Sequence, residues 1–78
     1  PTTNLRFRIS DFGLVELKVY DGLGREIATL VNEEMAPGMY EVQWDGRDDT
    51  GKPVSSGVYL YRLKAGNFTA TRKMVLMR

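Results

Sequence analysis

The strongest constraint on the fold is a tryptophan and a glycine on either side of a dense turn. Trp44-Asp45-Gly46 ends one alternating segment, and Gly57-Val58-Tyr59 begins the next. Residues 47–54 between them are rich in Asp, Gly and Pro, which are the residues of tight turns. We predict that Trp44 lies in a core between two sheets, because its side chain offers the largest apolar area in the chain. Two core strands joined by a sharp turn favour an antiparallel β-sandwich.

Apolar and polar residues alternate with a period of two along most of the chain, which is typical of strands with one buried face. The alternation predicts strands at residues 5–10, 15–20, 25–31, 40–45, 58–64 and 68–77. In the third strand, Ile27 and Leu30 are the predicted inward anchors, and residues 32–37 are interpreted as a loop with at most one helical turn. Six or seven short strands without a substantial helix predict an all-β fold, either a sandwich or a small barrel.

The length and composition of the chain limit its chemistry. With 78 residues it is expected to form one domain over residues 1–78, which we interpret as a piece of a longer protein. It contains no cysteine and no histidine, which excludes thiolate and imidazole catalysis and nearly all zinc sites. No run of 18 apolar residues occurs, so we predict no membrane span. We expect no enzymatic activity and no cofactor.

Charge is distributed unevenly along the chain although the net charge is only +1. All ten acidic residues lie in residues 1–49, whereas six of the eleven basic residues lie in residues 50–78. The two halves either neutralise each other side by side or leave the basic C-terminal strand for a partner to recognise. The basic residues alternate along strands rather than cluster, so nucleic acid is not an expected partner.

Three aspartates in the turn, Asp45, Asp48 and Asp49, are the weak candidates for a metal site. Calcium prefers oxygen ligands in a flexible loop, but their spacing differs from that of an EF-hand, and Ser56 stands where its bidentate Glu would be. The favoured interpretation is that these carboxylates accept hydrogen bonds from nearby backbone amides and form the turn.

The chain also has four tyrosines, Tyr20, Tyr40, Tyr59 and Tyr61. They could form an aromatic platform for carbohydrate, and the favoured alternative is cross-strand pairing within a sheet. Tyr59 and Tyr61 share one face of their strand, so their exposure separates the two interpretations.

Several short motifs occur at residues 17–21, 23–27, 37–40, 44–48, 51–54 and 56–59. Together they resemble two related Ig-like modules, the type IX secretion system C-terminal sorting domain and the Ig-like domain of the flagellar hook-capping protein. The resemblance implies an all-β, Ig-like or fibronectin III-like antiparallel sandwich of about seven short strands. By matching positions, the resemblance implies that the scaffold is built by Gly38, Tyr40, Trp44, Asp45, Gly46, Gly51, Gly57 and Tyr59.

The two ends of the chain resemble the sorting domain more than the hook-cap domain. Residues 1–7 look like its opening, and a basic pair, a short apolar run and a final basic residue look like its ending. The resemblance implies a non-catalytic signal for secretion across the outer membrane of Bacteroidetes-like bacteria. The parent protein would pass through the periplasm to the cell surface or medium. The implied partners are the secretion machinery and a surface sortase, which would recognise Arg72, Lys73, Met74, Val75, Leu76, Met77 and Arg78.

Two alternatives stay open from the sequence. One is a structural assembly module of the hook-cap type, and the other is an accessory carbohydrate-binding module of a secreted hydrolase. The oligomeric state is also open, because exposed strand edges can pair between copies.

Overall fold

The protein is all-β. The computed structural model describes residues 2–77, and six strands are formed within them. They are β1 (Thr3–Ile9), β2 (Gly13–Asp21), β3 (Glu26–Met35), β4 (Gly38–Trp44), β5 (Gly57–Ala65) and β6 (Phe68–Leu76). The predicted antiparallel sandwich is confirmed, with six described strands where about seven were expected. The turn after Trp44 adds only an isolated bridge between Arg47 and Pro53.

The strands form two sheets. One sheet contains β1 and β4, and the other has the order β3-β2-β5-β6. All neighbouring strands are antiparallel. In the larger sheet β3 and β6 are therefore the edge strands. No helix long and apolar enough to cross a membrane occurs within residues 2–77.

The core lies between the two sheets and follows directly from the period-two pattern. Every second residue of β1 and β2 points inward, so the charged residues between them stay at the surface. The buried apolar side chains are Leu5, Phe7, Ile9, Val15, Leu17, Val19, Ala28, Val31, Trp44, Tyr59, Leu63 and Leu76. They form two adjoining clusters, one around Leu17 and Phe7, the other around Trp44 and Val19.

Trp44 occupies the position predicted from the sequence. Its side chain is 1% exposed and meets the ring of Tyr59 edge to face, with ring centroids 5.3 Å apart. Its indole Nε1 donates a hydrogen bond of 2.9 Å to the carbonyl oxygen of Arg47. The apolar body of the ring is therefore buried while its single polar atom is satisfied.

The predictions for β3 were wrong in two respects. The strand continues to Met35, because Glu33 and Glu34 pair with Val15 and Leu14 of β2, so residues 32–35 are not a loop. The β2–β3 pairing also contains two register shifts. A bulge changes which residues face the core.

As a result, the fully buried residues of β3 are Ala28 and Val31, whereas the predicted anchors Ile27 and Leu30 are half-buried and pack against the core clusters from their margin.

Replacing Trp44 with alanine should lower the free energy of unfolding by about 3–5 kcal/mol, because it leaves a large cavity. A domain of this size has a total of roughly 5 kcal/mol, so the variant should keep at most about 2 kcal/mol and unfold at a much lower urea concentration. Urea denaturation followed by circular dichroism measures the loss. The matched control is Phe12→Ala, since that aromatic side chain is 66% exposed and its removal should change little. Near-normal stability of Trp44→Ala would contradict the assigned core.

Candidate interaction surface

Residues 45–56, here called the Asp-rich loop, connect β4 to β5 and are organised by Asp48. Its Oδ1 accepts hydrogen bonds from the Thr50 amide at 2.9 Å, the Thr50 hydroxyl at 2.6 Å and the Lys52 amide at 3.0 Å. The Thr50 hydroxyl, followed by the Lys52 amide, lowers the pKa of the Asp48 carboxyl from its ordinary value. Gly51 has φ of 87°, a conformation that glycine adopts without strain, and its amide donates to the Asp48 carbonyl.

Hydrogen bonds to Asp45 and Gly46 hold the start of this loop next to the buried Trp44. The Asp45 carboxylate accepts a bond of 3.1 Å from the Arg47 amide, and the Gly46 carbonyl accepts one of 2.9 Å from the Val54 amide. Gly46 has φ of 75°, which turns the chain back on itself. The Arg47 carbonyl can therefore receive the indole proton of Trp44.

Asp49 connects the loop to the edge of the larger sheet. Its amide donates to the Ile27 carbonyl at 3.1 Å, and its Oδ1 accepts from the Thr29 amide at 3.0 Å. Both partners belong to the outer edge of β3, where backbone groups would otherwise have no strand partner. The loop thus covers this part of the edge, a role that the sequence analysis missed because the contact joins residues 20 positions apart.

The metal hypothesis for Asp45, Asp48 and Asp49 gains no support from this geometry. Each of the three carboxylates accepts hydrogen bonds from a different set of backbone amides. In the described part of the chain, no group of three or more acidic, histidine or cysteine residues is placed to hold a metal ion. The arrangement supports the turn-forming interpretation.

The turn between β2 and β3 uses the same chemistry at the same end of the sandwich. Asp21 Oδ1 accepts bonds of 2.9 Å from the amides of Leu23 and Arg25, and its Oδ2 accepts one of 2.8 Å from Arg25 Nε. The backbone bond from Arg25 is the main cause that lowers the pKa of the Asp21 carboxyl. This turn and the Asp-rich loop line one shallow groove together with Val58 and Tyr59.

Exposed apolar side chains lie in and next to this groove. Val58 and Val75 face each other across the β5–β6 pair, and both are exposed. Leu23 lines the groove beside Val58, and Met77 follows the end of β6. We call these four residues the lower apolar patch. A second exposed apolar group, Phe12, Leu14 and Phe68, lines a depression at the opposite end of the sandwich.

The strand to which the sorting hypothesis assigns recognition, β6, is an edge strand. Its surface residues Arg72, Lys73 and Val75, with Met77 just beyond, are exposed. Met74 is half-buried against the core, and Leu76 is a core residue with 2% exposure. The side chain of Leu76 is therefore not accessible to a partner while the domain stays folded, which differs from the prediction.

The last residue of the predicted recognition segment, Arg78, lies outside the described residues.

The tyrosines are used within the fold. Tyr59 is 5% exposed and its hydroxyl donates to the Ser55 carbonyl, while Tyr61 is half-buried against the core. Tyr40 stacks on Phe7 across the β1–β4 pair, with ring centroids 5.7 Å apart. Tyr20 lies under the guanidinium of Arg62. These contacts support cross-strand pairing rather than a carbohydrate platform.

The glycines named for the scaffold lie at strand starts and in turns. Gly38 begins β4 and Gly57 begins β5, so each marks the return of the chain from a loop into a sheet. Gly38 follows the β3–β4 turn, and Gly57 follows the Asp-rich loop. Gly46 and Gly51 lie within that loop.

Residues 3–68 match the FlgD Ig-like domain family. The chain belongs to this family. A solved structure of FlgD from P. aeruginosa has a similar fold, with a TM-score of 0.70 and 22% sequence identity. The similarity covers 97% of this chain and 61% of that chain, so the domain spans less than two thirds of that protein. No curated protein matches the chain.

These findings confirm the Ig-like fold and the hook-cap side of the resemblance. They contain no indication of a type IX sorting domain. The family match also ends at Phe68, so it does not include the segment of β6 on which the sorting hypothesis depends.

Replacing Asp49 with alanine should expose the edge of β3. The Thr29 amide loses its acceptor, so its hydrogen should exchange with solvent faster than in the original protein. Amide exchange measured by NMR gives the result residue by residue. Asp45→Ala is the matched control, because that carboxylate bonds within its own turn and its loss should leave Thr29 unchanged. Equal protection of Thr29 in all three proteins would contradict the proposed cover.

The depressed pKa of Asp48 should make stability depend on pH. A carboxyl has a pKa of about 3.9 in an unfolded chain, and the folded-state pKa of Asp48 is lower. The stabilisation is therefore complete above about pH 4 and is lost as the pH falls through the folded pKa. Melting temperatures of Asp48→Asn and the original protein should differ most at neutral pH and converge in acid. Asp11→Asn is the control for the loss of an exposed carboxylate elsewhere on the surface. If the melting temperatures of Asp48→Asn and the original protein differed by the same amount at all pH values, the assignment would be contradicted.

Proposed function

We propose that this domain is a non-enzymatic structural module of the flagellar hook-cap type, which binds protein subunits during extracellular assembly. The observation that carries the proposal is the family match over residues 3–68. The geometry supports it, because the carboxylates of the Asp-rich loop are engaged in holding the turn and the edge of β3. The module would act outside the cytoplasm as part of a longer protein.

The lower apolar patch is the surface that best fits a subunit contact. Val58 and Val75 lie on the outer face of the larger sheet, away from both core clusters. Apolar side chains grouped on a small domain are typical of protein–protein contacts, where their burial stabilises the complex. The neighbouring turns at Asp21 and Asp48 are each held by several hydrogen bonds, so the backbone next to the patch has a defined conformation.

The test uses the parent protein in its own host. Removal of residues 3–76 should abolish hook assembly, counted by electron microscopy, while the truncated parent is still exported. Val75→Asp should reduce hook numbers, because it places a charge in the lower apolar patch. Thr69→Asp is the matched control, since Thr69 is exposed at the other end of β6. Circular dichroism of the isolated variants checks that both remain folded.

The sorting hypothesis predicts a different outcome of the same experiment. Normal hooks together with retention of the parent in the periplasm would overturn the structural proposal and support a sorting signal. Because Leu76 is buried, deleting the end of β6 would damage the core and could not separate the two functions. The exposed substitutions Lys73→Glu and Met77→Ser are the proper probes of recognition. Binding of polysaccharide by the domain would instead support a carbohydrate-binding module.

A further inference from the structure

The larger sheet has two edges of opposite charge. Its β6 edge carries Arg72 and Lys73, and its β3 edge carries Glu33 and Glu34. All four side chains are exposed, and none of them forms an ion pair with another residue among residues 2–77. Other surface charges do pair within the domain, such as Arg6 with Glu41 and Lys18 with Glu26. The two edges therefore present charges of opposite sign that are not engaged in ion pairs within the domain.

Only part of the β3 edge can receive another strand. Asp49 occupies the backbone groups at Ile27 and Thr29, so that portion is closed. The portion that remains open is residues 31–35, which includes both glutamates. Across residues 2–77, no strand pairs with the outer edge of β6. An unpaired strand edge is a ready template for another strand.

The charges of the two edges also match face by face. Lys73 pairs with Leu60 and Glu34 with Leu14, which places both on the outer face of the sheet. Arg72 pairs with Tyr61 on the inward side of β5.

Glu33 pairs with the buried Val15, so Glu33 and Arg72 both lie on the inner face. In an antiparallel register one of these two pairs, Lys73 with Glu34 or Arg72 with Glu33, can lie directly opposite, and the other then lies diagonally, two residues along, within reach of long side chains.

We propose that copies of this domain associate edge to edge, with β6 of one copy pairing with residues 31–35 of β3 in the next. The strands of the sheet alternate in direction, so β6 and β3 run in opposite directions. Two copies in the same orientation thus join antiparallel, with Lys73 near Glu34 and Arg72 near Glu33. Pairing of two β6 edges, or of two β3 edges, would place like charges together and is disfavoured.

Such an interface is heterologous, because two different edges meet. Each copy added leaves one free β3 edge and one free β6 edge, so growth continues into an open chain or closes into a ring. The inference rests on the geometry and charge of the edges and does not depend on the proposed function.

The test measures self-association of the purified protein by sedimentation velocity over a range of concentrations. Lys73→Glu and Glu34→Lys should each weaken association by about tenfold, because each places like charges across the interface. An equimolar mixture of the two variants should regain association, since every β6 edge then finds a β3 edge of opposite charge. Lys64→Glu is the matched control, because Lys64 is exposed on the interior strand β5 and should leave association unchanged.

Three results would overturn the proposal. They are a protein that stays monomeric at millimolar concentration, association that Lys73→Glu does not weaken, and a mixture that fails to recover. Weakening by both single variants separates this interface from a symmetric one, because a contact between two β6 edges would not respond to Glu34→Lys and a contact between two β3 edges would not respond to Lys73→Glu. Loss of hook assembly in the host with unchanged self-association would leave the proposed function standing and remove this inference alone.

Discussion

The structure depends on the position of Trp44 between the core and the loop that follows it. The indole fills the space between the sheets against Tyr59, and its Nε1 fixes the Arg47 carbonyl. A loop rich in charged residues would otherwise have many conformations to lose on folding. Because the Trp44 side chain both packs in the core and bonds to the Asp-rich loop, the order of the loop is coupled to the packing of the core. The same loop then carries Asp49 to the edge of β3.

Short-range hydrogen bonds, rather than strand pairing, determine the conformation of the β2–β3 turn and of most of the Asp-rich loop. Asp21, Asp45 and Asp48 each accept amides from within four residues, which lets a short sequence form a defined turn without a helix or metal. Asp49 differs, because its partners lie in another element. The three aspartates of the loop therefore look alike in the sequence but differ in role. Asp45 and Asp48 form the turn, whereas Asp49 covers the edge of β3.

Much of the fold could be predicted from the sequence because its signals are local. Alternation identified all six strands, and the size of Trp44 identified the centre of the core. The inward face of β3 could not be predicted, since the bulges depend on pairing with β2. The strand character of Glu33 and Glu34 was missed for the same reason. Two adjacent charged residues place one of them, Glu33, on the inner face, and Glu33 stays exposed there because β3 lies at an edge, which is a property of the topology.

The candidate site was predicted less well than the fold, and the last strand shows why. From the sequence, residues 72–78 form one basic and apolar segment that could be recognised as a unit. In the fold, alternation divides that segment: Leu76 belongs to the core, while Lys73 and Val75 belong to the surface. A partner can read only every second side chain of a paired strand, together with the free backbone edge. Recognition at β6 must therefore use the edge or the outer face, and the outer face continues into Val58 of β5. Any partner that binds β6 would therefore recognise the folded domain, because detaching the strand would remove Leu76 from the core.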